Sequence, residues 1–136
     1  MDILRQGPIK RRQFLNIMIS QLRPNFVHVL NNYIKALNIR NTYLRQIKYE
    51  NKPKELLDIW DEKLAELGEK IYLYRLEFVN KIIEKINNVH SKITKEKEVV
   101  KIKYNSDCKE KQEFINKLKT QREIDIQRGF TTVRNS

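Results

Sequence analysis

The chain has 136 residues, a formal net charge of +11, 33% charged residues, and only three glycines and three prolines. That length allows one domain with one modest core, and the composition favours long helices with few turns. It excludes a membrane-spanning helix, because no apolar run is long enough, and a disulfide framework, because Cys108 is the single cysteine.

The start, "MDILRQGPIKRR", lacks the zones of a secretory signal, so a cytoplasmic protein is expected. Cys108, set among charges in "SDCKEK", reads as a structural thiol. Charge is unevenly spread. Residues 1–54 carry +9, residues 55–79 carry −4 and residues 80–136 carry +6. The first block is more one-sided than solubility requires, and such a surface suits phosphate or an acidic partner.

In chain order, Pro8 opens a helix in which Phe14, Met18 and Leu22 form a stripe, with Leu15 and Ile19 beside it. Lys10, Arg11 and Arg12 crowd its first turn, where the helix dipole favours acids instead. Pro24 breaks this helix and starts the next. From about 25 to 48, Phe26, Leu30, Tyr33, Leu37, Leu44 and Ile47 follow a heptad-like seam, with Arg40 on the missing step. An arginine there lies near an end, snorkels, or meets an acid on the partner helix. "YENKPK" at 49–54 is a turn.

The next pattern is the strongest. Leu57, Trp60, Leu64, Leu67, Ile71, Tyr74 and Phe78 alternate steps of three and four, and the stripe runs on through Ile82, Ile86, Val89 and Ile93. Taken as one helix, 54–94 would be roughly 60 Å long, and the pattern alone leaves its continuity open. Gly68 within it marks a bend or a close contact. The short turn makes 25–48 and 54–94 antiparallel neighbours. Period two in "EVVKIKYNSD" predicts a strand at about 98–104. Asp107 is placed to cap a last helix reaching Arg128, with Phe114, Ile115 and Leu118 inward and Gly129 ending it. "FTTV" at 130–133 then predicts a second strand. The expected fold class is mainly α: an antiparallel, coiled-coil-like arm of long helices with a small two-strand element near the C-terminus.

Signs of catalysis are few. Three scattered glycines make no phosphate-cradling loop, His28 and His90 are far apart, and metal-ligand spacing is absent. Asp58, Glu62, Glu66 and Glu69 belong to an acidic run that serves either as a solvated face or as a docking patch for a basic surface. Trp60 reads as an anchor between helices and not as a base platform.

The run "GPIKRRQFLNIMISQLRPNFVHVLNNYIKAL" with "RNTYLRQI" resembles the RecF family of bacterial DNA replication and repair proteins. So does "ELLDIWDEKLAELGEKIYLYRLEFV", and "QREIDIQRGFTTV" resembles the stretch before that family's Gly-Pro-His-Arg-Asp strand and loop. The resemblance covers about residues 3–133. It implies a helical region inserted into an SMC-type ATPase that binds ATP and Mg, dimerises, binds double-stranded or gapped DNA, and works with RecR, and through it RecO, to load recombinase. In that family the phosphate-binding loop lies before this region, and the signature motif and metal-binding acid after it. The expectation is therefore one helical domain at 1–133, excised from a larger ATPase and without enzymatic activity or cofactor of its own, with 134–136 a foreign terminal scar. Lys10, Arg11, Arg12, Arg40, Arg45 and Lys48 are the expected nucleic-acid contacts. Asp58, Glu62, Glu66 and Glu69 are the expected partner contacts. The alternative is a docking or dimerisation arm that does not touch DNA.

Overall fold

The computed structural model describes residues 7–94 and 110–134. Five helices make up nearly all of it: α1 (Pro8–Leu22), α2 (Pro24–Glu50), α3 (Leu56–Thr94), α4 (Lys111–Thr120) and α5 (Arg122–Arg128). Among the described residues no helix is long and apolar enough to cross a membrane.

Both Pro8 and Pro24 sit in the first turn of their helices, where the missing N–H costs nothing. Arg23 alone joins α1 to α2. Its extended backbone turns the chain while its N–H still donates to the Ile19 carbonyl at 2.7 Å. Asn51, in the left-handed region at φ 56°, ends α2. The 39-residue α3 is continuous, about 58 Å at 1.5 Å per residue.

The helices α2 and α3 run antiparallel. Phe26 meets Tyr74 edge-on at 5.4 Å, Arg40 meets Asp61, and Tyr43 lies 6.3 Å from Trp60, so residue numbers rise on one helix as they fall on the other. The seam on α2 is shifted slightly from the sequence pattern. Val29 and Ala36 are buried, whereas Leu30 and Leu37 are half-buried on its flank. A straight helix drifts against a strict heptad, and small residues let the two backbones approach.

Apolar side chains form two clusters. The larger joins Ile19 of α1, Phe26 and Tyr33 of α2, Leu64 and Ile71 of α3, and Phe114 and Leu118 of α4. The smaller joins Leu44, Ile47, Leu57 and Ile126. On both α2 and α3 the charged residues Arg40 and Asp61 fall between the two clusters.

Two expectations need correction. The last helix is not continuous: it breaks at Gln121 into α4 and α5. The Thr120 hydroxyl donates back to the Asn116 carbonyl at 2.8 Å, a contact that bends helices, and Arg122 turns inward to Asp61. The two-strand element is absent among the described residues. The "FTTV" segment forms no strand, because its donors find side-chain acceptors. Thr131 N–H and hydroxyl donate to Asn41 Oδ1 at 2.8 and 2.7 Å, and Thr132 N–H and hydroxyl donate to Asp125 Oδ1 at 3.0 and 2.7 Å. The expected strand at 98–104, the Asp107 cap and Cys108 lie outside the described residues. Gly129 does end α5, in the left-handed region at φ 76°, with its N–H on the Asp125 carbonyl.

The α4 N-terminus is capped from another helix. Glu110 gives no side-chain cap; Glu69 on α3 instead accepts from the Lys111 N–H at 2.6 Å. Glu69→Ala is expected to cost about 1 kcal/mol, the usual weight of an N-terminal cap, read as a lower urea midpoint at unchanged slope.

Candidate nucleic-acid interface

Lys10, Arg11 and Arg12 occupy the first turn of α1, which has no acid there. Lys10 and Arg11 are exposed and Arg12 is half-buried. Among the described residues none of the three has an ionic partner. Consecutive helical positions fan out by about 100° each, so the three charges cover a wide arc. Such an arc can meet a run of phosphates without fixing one base register.

The other three expected nucleic-acid contacts have different positions. Arg40 is fully buried, which corrects its assignment to DNA. Its Nε donates to Asp61 Oδ1 at 2.7 Å, and its Nη1 donates to Asp125 Oδ2 and to the Thr131 hydroxyl, both at 2.9 Å. A guanidinium enclosed in this way cannot reach a phosphate. Arg45 and Lys48 are exposed but face the end of α5. Lys48 Nζ donates to the Gln127 carbonyl at 2.6 Å, and Arg45 Nη1 donates to the Gly129 carbonyl at 3.3 Å. Cations suit the negative end of a helix.

The acids follow the same pattern. Asp58 accepts from Arg122 at 2.8 Å, Glu62 from Lys111 at 3.3 Å, and Glu69 caps α4. Glu66 pairs within its own helix with Lys70 at 3.7 Å. Three of the four expected partner contacts therefore seat α4 and α5 on α3.

Sequence reasoning passed over Arg122, Asp125 and Asn41. Asp61 and Asp125 are both fully buried, and Arg122 Nη2 donates to Asp61 Oδ2 at 2.6 Å. Burial works against the Arg122 charge, but hydrogen bonds to Asp61 and Asp58 outweigh it and hold its pKa above the ordinary arginine value. A signal was present. Charged residues interrupt apolar stripes on three segments, at Arg40, Asp61 and Asp125, and opposite charges at buried steps call for one another.

No family model matches the chain. Individual relatives do. It is 34% identical over 140 residues to the DNA replication and repair protein RecF of Acetivibrio thermocellus, covering 96% of this chain and 38% of that protein. It is 35% identical to RecF of Lachnoclostridium phytofermentans, covering 98% and 37%. The fold matches a solved structure of the recombination mediator protein RecF-ATP in the RecFOR pathway, with a TM-score of 0.80, 29% identity, and coverage of 98% of this chain and 38% of that one.

The nucleotide in that structure finds no fitting seat among the residues described here. Gly68 is packed inside α3 against Phe114, and Gly129 ends α5, so neither belongs to a phosphate-cradling loop. Among the described residues no group of three His, Cys, Asp or Glu side chains could hold a metal ion. In both sequence and fold, then, this chain is homologous to a helical segment of RecF, the DNA replication and repair protein, and spans 38% of the length of the relative from Acetivibrio thermocellus.

Proposed function

We propose that the chain is the helical arm of a DNA replication and repair protein, and that α1 holds duplex or gapped DNA by its backbone. The observation that carries this is the state of Lys10, Arg11 and Arg12. Within the expected nucleic-acid set they are the cations not spent inside the fold. Their role is phosphate neutralisation, without chemistry and without base readout. ATP and Mg, the partnership with RecR and RecO, and loading of recombinase at gaps belong in this proposal to the longer protein.

Titration of a labelled short duplex against the chain at two salt concentrations tests it. Three phosphate contacts give a log–log slope near −2.7, or roughly 40-fold weaker binding between 50 and 200 mM salt. Replacing Lys10, Arg11 and Arg12 by Ala should flatten that slope, whereas Arg45→Ala with Lys48→Ala should leave it nearly unchanged. Absence of binding at the lower salt would sink the proposal for this chain.

Partner docking is a second reading. What favours it is the apolar surface of α1, where Ile17 and Leu22 are each 60% exposed. A helix this apolar on its outer side normally has a neighbour.

A further inference from the structure

Where α1 ends and α3 runs on past the turn at Arg23, a groove of about 250 Å³ opens. Its floor is apolar: Ile19 and Leu22 from α1, Tyr74 and Phe78 from α3. Its rim is charged: Arg23, Lys81 and Lys85, with Glu77 between them. We propose that this groove docks an acidic protein segment that anchors one or two large apolar side chains, seating the anchor on Leu22 and Phe78 and its carboxylates against Lys81 and Lys85. The proposal deepens the docking reading above and does not depend on DNA contact.

Size, rigidity and charge lead to this occupant. The volume is below the ~300–1,000 Å³ usual for small-molecule sites, and suits a side-chain anchor. The floor is held in place before anything binds. The Tyr74 hydroxyl accepts from Asn25 Nδ2 at 3.0 Å, and its ring packs edge-on against buried Phe26. A pre-formed pocket avoids the ordering cost of binding.

On the rim, Glu77 accepts from Arg23 at 2.7 Å and pairs with Lys81 at 3.0 Å. The hydrogen bond from Arg23, helped by Lys81, holds the Glu77 carboxyl below the usual range, so it stays ionised at neutral pH. One anion against three cations leaves the rim positive, and Lys85 has no ionic partner among the described residues. Positive charge around an exposed apolar floor matches acids flanking an apolar anchor. A nucleic-acid backbone offers carboxylate-like charge but nothing to fill the floor.

The test uses a fluorescein-labelled peptide, Glu-Glu-Leu-Phe-Glu-Glu, titrated with the chain at low salt and read by anisotropy. Three comparisons accompany it: the same peptide with Ser-Ser in place of Leu-Phe, the variant Leu22→Ser and the variant Lys85→Glu. Both substituted residues are exposed, and a retained helical spectrum confirms that the variants fold. Saturable binding is expected, weakened about tenfold by each variant and by the serine peptide. Equal affinity of the serine peptide would overturn the proposal, since charge alone would then account for binding. No saturation up to about 1 mM would overturn it as well. A dimer that Leu22→Ser dissolves would assign the groove to a second copy and equally overturn it. Leu22→Ser should leave the salt slope for duplex DNA intact, and loss of Lys10, Arg11 and Arg12 should leave peptide binding intact, so the two readings fail separately.

Discussion

Asp125→Ala should destabilise the chain by about 3–5 kcal/mol, the usual cost of removing one partner from a buried ion pair. The carboxylate is enclosed and fully used: Oδ2 accepts from Arg40, and Oδ1 accepts from both the N–H and the hydroxyl of Thr132. Its loss leaves the buried Arg40 with Asp61 and the Thr131 hydroxyl alone, and leaves the Thr132 N–H and hydroxyl without their acceptor. Typical domains have only about 5–15 kcal/mol in total, so the variant should unfold at markedly lower urea with an unchanged slope. Arg40→Met should be similarly costly, because it strands the Asp125 carboxylate. Arg40→Met combined with Asp125→Leu should recover much of the loss. The charges left are then Asp61 on Arg122, already paired at 2.6 Å, and replacing buried ion pairs by apolar groups of similar volume is often neutral. A loss for Asp125→Ala of no more than about 1 kcal/mol would mean that the cluster is open to water.

The contrast between Arg40 and its neighbours shows how much the chain discloses by itself. Periodicity placed α2 beside α3, antiparallel, and marked Arg40 as the odd residue on a seam. It left three roles open for that arginine, one of them an acid on the partner helix. The last is what the structure shows, with Asp61 of α3 as the acid, and Asp125, 85 residues away in sequence, is a second one. A helical repeat ranks the faces of one segment; it does not say whose carboxylate turns toward an interruption. For the same reason Arg45 and Lys48 look like free cations in sequence. They are paired with carbonyl oxygens at the end of α5, and main-chain oxygens leave no trace in residue identities.

The "FTTV" segment departs from its expected strand for a related reason. Threonine, valine and phenylalanine describe a pleated, half-buried surface, and they favour strands on average. Here the threonine donors are satisfied by Asn41 and Asp125, so the segment forms no strand. The clustering of three cations in the first turn of α1 is visible without tertiary knowledge. They break the dipole preference of their own first turn, and that conflict is local.

Gly68→Ala should lower stability even though alanine is favoured over glycine by about 1 kcal/mol inside a helix. A Cβ built at Gly68 would stand 2.5 Å from Phe114 Cε2 and 2.9 Å from Cδ2. The ring cannot step aside cheaply, because Phe114 is fully buried in the larger cluster between α3 and α4. Overpacking of this kind costs about 1–3 kcal/mol, so the net change should be a loss of up to about 2 kcal/mol. Phe114→Ala alone should cost more, about 3–5 kcal/mol, because it empties the contact that seats α4. In the Phe114→Ala background the added methyl has room, and Gly68→Ala should reverse sign and return up to about 1 kcal/mol. The four-way cycle measured by urea denaturation should therefore give a coupling of about 1–3 kcal/mol. Should Gly68→Ala stabilise the otherwise unchanged chain by the full propensity difference, the ring does not rest on α3 in solution. In that case α4 is seated by Lys111 alone, through its ion pair with Glu62 and its N–H on Glu69, and an ion pair this exposed contributes little.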